Sequence, residues 1–245
     1  MSQRKTYDTS KFCIIVPFYN EQSYIYPICA KLLATGYNIL FVDDGSTDYS
    51  LPILKDLQVK LGGFSIISYS PNRGKGYAIK KGALEAIKKD YDWFLFFDSD
   101  GQNAIEDIEK FLATKRWYEF SLKEEPKIYI GNRLDNPKGM PKIRWLTNKI
   151  MSWIISKLSK QYIADSQCGM RLIHKDVFAH KLESDRFELE SEMLIKTGRN
   201  SQTIVNIPIS CIYKKGRESK INPLPDFIRF FKMLFKIMAF HQNYK

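Results

Sequence analysis

Cysteine and histidine are scarce and scattered along the chain. Cys13, Cys29, Cys168 and Cys211 form no CxxC pair, and His174, His180 and His241 make no cluster with them. That spacing excludes a zinc-ligand pattern and a disulfide framework, and it fits a reducing compartment. Long apolar runs are also missing: none approaches the ~20 residues needed to span a bilayer. The opening residues MSQRKTYDTSK are polar, without the apolar segment of a secretory signal, so a cytoplasmic location is expected. Acidic residues are in deficit, 27 Asp and Glu against 38 Lys and Arg, for a formal charge of +11. Such a balance suits a polyanionic partner, either nucleic acid or an anionic membrane face. Recognition-helix, zinc-finger and RNP-type patterns are all absent, and the acidic clusters described below would repel a phosphate backbone, so no nucleic-acid partner is expected.

What the chain does have is apolar material for one sizeable core, 44% of 245 residues, with neither an internal repeat nor a low-complexity tract. Residues 12–17 (FCIIVP), 39–42 (ILFV), 65–68 (SIIS), 93–97 (WFLFF), 128–130 and 203–207 read as strands; the first and second are almost wholly apolar, as strands buried on both faces must be. Helical patterns occupy residues 21–35, 76–89, 142–160 and 188–197. Alternating β and α segments predict an α/β domain, a largely parallel central sheet flanked by helices, with ligands beyond the carboxyl ends of its strands. A catalytic domain over residues 1–221 and an amphipathic basic helix over residues 222–245 are the expected units.

Three acidic clusters each follow a predicted strand: Glu21 after VPFYN, Asp43 and Asp44 in VDDGSTD, and Asp98 and Asp100 in DSDGQ. Strand ends of one parallel sheet share an edge, so these carboxylates are expected to converge. Converging carboxylates repel one another unless a cation lies among them. Asp98, Asp100 and Gln102 offer the hard oxygen ligands that Mg²⁺ or Mn²⁺ prefers, and such an ion stabilises a departing diphosphate.

In this order the motifs VPFYNE, VDDGSTD, NRGKGYAIKKG, DSDGQ, GNR, DSQCGMRLI, FELESEM and VNIPISCIYKKGRESK resemble the family-2 glycosyltransferases. Within them the polyprenyl-phosphate sugar synthases, the dolichyl-phosphate mannose and glucose synthase group, are the nearest in pattern. The resemblance implies the nucleotide-diphosphosugar transferase (GT-A) fold and inverting transfer from a UDP- or GDP-sugar to a lipid phosphate. It implies that Pro17, Tyr19 and Glu21 frame the nucleotide, that Asp43, with Asp44 beside it, meets the base or ribose, and that Asp98, Asp100 and Gln102 hold the metal. Asn72, Arg73, Gly74, Lys75 and Gly76, a basic glycine-bearing loop at a helix start, would lie near the donor; a solvated basic turn is the other reading. Arg133, Arg144, Ser219 and Lys220 would meet the acceptor phosphate, because a guanidinium can bond two of its oxygens at once. Lys214 and Lys215 stand before GRESK where the family pattern has an arginine.

Asp100, Asp165 and Arg133 are the catalytic candidates. Asp165 matches a family motif on the acceptor side, while Glu190 and Glu192 read equally well as a solvated helix face. The alternative function keeps the donor site and moves the sugar to a glycan hydroxyl in cell-surface polysaccharide assembly, with Asp165 or a nearby carboxylate as base. In the helix over residues 142–160, Ile143, Leu146, Ile150, Trp153, Ile154 and Leu158 recur at helical spacing, which predicts core packing; a groove for the acceptor lipid is the second reading. In the tail, Arg229, Lys232 and Lys236 share one helix face opposite a broad apolar one. That pattern suits a peripheral protein on the cytoplasmic face of an anionic membrane; a helix docked on the domain's own core is the alternative.

Overall fold

The computed structural model describes residues 9–121, 124–210, 212 and 223–240. Its strands are β1 (Phe12–Phe18), β2 (Asn38–Asp43), β3 (Ser65–Ser68), β4 (Trp93–Phe96), β5 (Ile128–Asn132), β6 (Arg171–His174) and β7 (Ile204–Pro208). They form one seven-stranded sheet in the order β3-β2-β1-β4-β6-β5-β7. Every pair is parallel except the two that β6 makes with β4 and β5. Around the sheet lie α1 (Gln22–Leu33), α2 (Ser50–Leu61), α3 (Lys75–Lys88), α4 (Ile108–Phe120), α5 (Lys142–Ser159), α6 (Glu188–Arg199) and α7 (Pro223–Phe240). The largely parallel α/β layout is the expected one. Three elements lie outside the sequence-based reading: α2, α4 and the short antiparallel β6, whose four residues RLIH begin with a charge.

From β1 the chain builds β2 and β3 on one side and then returns to add β4 on the other. This reversal opens a crevice at the carboxyl edge between β1 and β4, the position at which open α/β sheets bind ligands. Pro17 suits that edge. The Ile15 carbonyl accepts the Phe97 amide at 3.0 Å, so by strand alternation the Pro17 nitrogen also faces β4, beyond its last residue, where no ladder bond is lost. The Pro17 carbonyl on the same side accepts the Ser99 hydroxyl at 3.0 Å, which ties the first residues after β4 to the end of β1. Behind the crevice, α3 lies close on the sheet because Gly82 has no side chain; a Cβ there would fall 2.7 Å from an Ile15 methyl and 3.0 Å from a Val42 methyl.

The expectation of core packing for α5 is overturned at most of its apolar positions. Ile143, Leu146, Ile150 and Trp153 are exposed, while Asn148, Ser152, Ile155 and Ser159 are the residues it buries; only Ile154 and Leu158 of the predicted set pack on the core. Both buried serines are satisfied locally: the Ser152 hydroxyl oxygen accepts the Ser166 amide at 2.8 Å, and the Ser159 hydroxyl donates to the Ser156 carbonyl at 3.2 Å. In α7, Phe230, Met233 and Leu234 are buried in the domain's core, whereas Ile228 and Phe235 remain exposed. Lys236 pairs with Glu183. Arg199 of α6 joins the two outer helices, donating from Nε to the Leu158 carbonyl at 2.9 Å and from Nη1 to the Ile237 carbonyl at 3.2 Å.

Candidate active site

The carboxyl ends of β1, β2, β4 and β5, the residues leading into β6, and the start of α3 bring most of the predicted residues to one edge. They do not converge as expected. Among the described residues no group of three or more His, Cys, Asp or Glu is arranged to share a metal ion, and one of the three acidic clusters, Asp43 and Asp44, is taken up by the protein's own donors. Asp43, 1% exposed, accepts the Ser46 amide at 2.9 Å and the Ser68 hydroxyl at 2.8 Å. Asp44, also buried, accepts the Tyr69 hydroxyl, the Asn72 side-chain amide, and the amides of Arg73 and Gly74, at 2.8–3.2 Å. Burial, and after it Asp44, hold the Tyr69 phenol well above its ordinary pKa, so it remains a donor. Asp44 thus anchors the loop after β3. Glu21 is buried, and its amide donates to the Ser50 hydroxyl at 2.7 Å. Pro17 is buried and Tyr19 half-buried beside it.

The loop after β4 carries the third acidic cluster. Asp98 and Asp100 are half-buried, and Asp100 accepts the Gln102 amide at 2.9 Å across a turn in which Gly101 takes a φ of 70°. Asp98 rests against backbone: a Cβ on Gly169 would lie 2.7 Å from its carboxyl carbon and nearer still to one of its oxygens. Lys75, at the start of α3, points inward, 2.7 Å from Asp98 and 3.2 Å from Glu190. Burial opposes the Lys75 charge, but Asp98 and then Glu190 outweigh it, and the ammonium is held above its ordinary pKa. Burial likewise pushes Asp98 up, and Lys75, then Arg133 and Arg171, outweigh it and keep the carboxylate ionised below its usual range. The reading of this loop as a solvated basic turn therefore fails for Lys75. Arg73 alone fits it, exposed with its guanidinium 3.7 Å over the Tyr77 ring.

On the other flank, Arg133 and Asp165 form a bidentate pair, Nε to Oδ2 at 2.7 Å and Nη2 to Oδ1 at 3.1 Å. Asp165 is 0% exposed and also accepts the amides of Arg133 and Gln167 at 3.2 Å. It stands behind Arg133 and is not presented to an incoming hydroxyl. Arg144 is half-buried in the first turn of α5, which Trp145 ties to the same loop by donating to the Leu134 carbonyl at 3.2 Å. Ser219 and Lys220, with Lys214 and Lys215, lie outside the described residues. The chain approaches that segment from Ile212, whose amide donates to the Gln102 carbonyl at 2.9 Å.

The solvated-face reading of α6 is overturned as well. Glu192 is 2% exposed and accepts the amides of Glu183 and Ser184, and Lys196, at 2.6–3.2 Å. It fastens the loop whose Asp185 carbonyl accepts the Tyr77 amide at 2.7 Å. The sequence-based reading missed Arg171. This guanidinium, 1% exposed, donates to the carbonyls of Cys168, Ser166 and Glu190 at 2.6–2.8 Å, and so sets the loop that carries Asp165 and Gly169. Its signal was an arginine opening an otherwise apolar strand. Burial pushes the nearby Cys168 thiol up to about 12, which leaves it un-ionised and inert as a nucleophile.

Comparison with known proteins agrees with this architecture. The chain matches the family described as "Glycosyl transferase family 2" over residues 13–181. It is 30% identical over 241 residues to the UDP-N-acetylglucosamine--dolichyl-phosphate N-acetylglucosaminyltransferase of Methanococcus voltae, covering 90% of this chain and 94% of that one. It is 31% identical over 223 residues to the dolichyl-phosphate beta-glucosyltransferase of Saccharomyces cerevisiae, covering 80% of this chain and 65% of that one. Among solved structures, glucosyl-3-phosphoglycerate synthase from Mycobacterium tuberculosis, in complex with Mn²⁺, UDP and phosphoglyceric acid, superposes with a TM-score of 0.66 at 15% identity. That match covers 93% of this chain and 78% of the other, and the likeness is one of fold, the GT-A fold.

Proposed function

The chain belongs to glycosyl transferase family 2, and from that premise we propose that this glycosyltransferase moves a sugar from a nucleoside-diphosphate sugar to a polyprenyl phosphate at a membrane surface. The observation that carries the acceptor class is the Arg133–Asp165 pair. A phosphate monoester, with its second pKa near ~6, arrives already anionic and needs orientation and charge rather than a base. A buried aspartate that fixes a guanidinium in its bidentate geometry supplies the first; a sugar hydroxyl would need a reachable base, which Asp165 is not. Two relatives named for dolichyl-phosphate acceptors support the same reading.

The donor's nucleotide is assigned to the crevice bounded by Pro17, Tyr19, Glu21 and Asp43. Its diphosphate is assigned to the loop Asp98–Gln102, with Lys75 charge-balancing Asp98 from behind. An acceptor-phosphate oxygen attacks the anomeric carbon, the bond to the diphosphate oxygen breaks on the opposite side, and configuration inverts. Arg133 and Arg144 hold the attacking phosphate, and orientation supplies much of the rate. A divalent ion fits the loop even without a third carboxylate, because Mg²⁺ ordinarily takes one or two carboxylates and completes its shell with waters and substrate phosphates. Asp98, Asp100 and Gln102 would hold that Mg²⁺ or Mn²⁺, which when bound would supply positive charge for the leaving diphosphate. The Mn²⁺ and UDP of the mycobacterial structure are in keeping with this assignment.

Among the described residues no helix is long and apolar enough to cross a membrane, and peripheral attachment on the cytoplasmic face is the arrangement proposed. The test supplies purified polyprenyl phosphate as sole acceptor, screens UDP- and GDP-sugars, and follows nucleoside-diphosphate release with Mn²⁺ or with excess chelator. Transfer should occur, should stop with chelator, and should fall at least about 100-fold in Asp100→Asn. Transfer only to glycan hydroxyls would refute the acceptor, and full activity in chelator would refute the metal.

A further inference from the structure

We infer that the outward face of α5 is the surface that seats this enzyme on an anionic bilayer, a step that rests on the lipid-linked acceptor proposed above. The helix is partly inverted relative to a soluble amphipathic helix: Asn148, Ser152 and Ser159 are buried with Ile155 on the domain side, while a row of large apolar residues faces out. Ile143, Leu146, Ile150 and Trp153, spaced by three, four and three, are 74%, 48%, 49% and 63% exposed. Normal burial cannot explain a stripe of this size, since soluble proteins seldom expose contiguous apolar surface without a partner.

Charge identifies the partner. The residues of α5, KIRWLTNKIMSWIISKLS, include four cations and no acid. Lys142 and Lys149 flank one side of the stripe by helix periodicity, and Lys157 continues its line. Tryptophan beside lysine is the composition of the bilayer interface, where the ring lies among headgroups and the lysine stem reaches past it to phosphate. The Lys149 ammonium lies 5.9 Å from the Trp145 ring, and the exposed Tyr162 lines the same groove beside the helix as Trp153, Lys149 and Lys157. On its inner side, α5 holds the acceptor loop through the Ser152–Ser166 and Ser156–Ile163 hydrogen bonds, 2.8 and 2.9 Å. Arg133 and Asp165 are therefore about one helix diameter, ~10 Å, from the outward face, a distance suited to a phosphate at the membrane surface. The tail helix is the lesser candidate, because it spends Phe230, Met233 and Leu234 on the domain core.

The experiment sediments the full chain with phosphatidylcholine vesicles carrying about one-third phosphatidylglycerol, without donor or acceptor. Ile150→Ser/Trp153→Ser, both at exposed positions, should keep the wild-type melting temperature and lower vesicle partitioning on the order of 50-fold. Lys149→Gln/Lys157→Gln should lower it about fivefold per charge, an effect lost on neutral vesicles or in high salt. Transfer to a short, water-soluble isoprenyl phosphate, measured without vesicles, should be unchanged in both variants. That last arm reads the acceptor chemistry by itself: if the wild type fails there yet binds vesicles, the proposed acceptor is wrong while the docking face stands. The inference is overturned if the wild type ignores the vesicles, or if the α5 variants bind as it does. It is also overturned if Ile228→Ser/Phe235→Ser abolishes binding and the α5 variants do not. A wild type that is dimeric, becomes monomeric in Ile150→Ser/Trp153→Ser and binds no vesicles would make the face a contact between two copies instead.

Discussion

Replacing Gly169 by alanine tests how the loop before β6 controls the chemistry at Asp98. Gly169 does not occupy a left-handed backbone conformation, so alanine is conformationally permitted and its effect is steric. The new methyl would lie 2.7 Å from the Asp98 carboxyl carbon and nearer still to one oxygen, against ordinary contact from 3.4 Å, so the carboxylate must retreat by at least roughly 0.7 Å. Retreat disrupts the 2.7 Å pairing with Lys75 and displaces the first acidic group of the loop proposed to hold the diphosphate. A misplacement approaching 1 Å costs about 100-fold in rate, or ~2.7 kcal/mol of barrier. Overpacking costs about 1–3 kcal/mol of stability, and each kcal/mol lowers the melting temperature by about 2–4 °C in a chain of this size. Steady-state release of nucleoside diphosphate with saturating donor, beside a thermal melt, reads both. In an Asp98→Ala background the Gly169→Ala change should cost nothing further, because no carboxylate is left to displace. A kcat within about threefold of wild type and an unchanged melt would refute the steric argument; equal additional losses in the Asp98→Ala background would show that Gly169 acts elsewhere.

Asp165→Asn should raise the KM for the lipid phosphate about tenfold or more and leave donor affinity intact, because it removes the charge that aligns Arg133; isothermal titration with nucleotide and acceptor kinetics separate the two, and a loss of donor affinity would contradict the assignment. Glu192→Gln should destabilise the protein by about 1–3 kcal/mol at neutral pH. Burial raises the Glu192 pKa, but Lys196 and the amides of Glu183 and Ser184 outweigh it and hold the group below its ordinary 4.5. Its contribution is therefore complete above the unfolded-state pKa and is lost as pH falls through the lower folded-state value. Denaturant melts of the two proteins should differ at pH 7 and converge in acid, and a difference independent of pH would rule out the carboxylate as its source.

Much of the fold was legible because its signals are local. Apolar runs such as FCIIVP and WFLFF need burial on both faces wherever they occur, and the polar clusters that end them must then gather at one edge of a parallel sheet. The DSDGQ loop, the GNR turn and the glycine-bearing start of α3 were readable for the same reason. Less legible were α2, α4 and β6, the last because its antiparallel place between β4 and β5 depends on two strands distant in sequence.

By itself the sequence determined which chemistry was available: carboxylates after strands, arginines in the later loops, and motifs sufficient to mark the family. Tertiary structure decided which of those groups remain free. Asp44 and Asp165 are equally acidic on paper, yet one is saturated by the loop after β3 and the other by Arg133. Lys75 turns inward because Glu190, 115 residues later, arrives beside Asp98, and no spacing rule spans that interval. The same holds for α5. Its periodicity defined an apolar face, but the direction of that face depended on what packed behind it, and the loop around Ser166 supplied hydrogen-bond partners for the polar side. Burial is a property of the neighbour as much as of the residue, and only the folded chain brings the neighbours together.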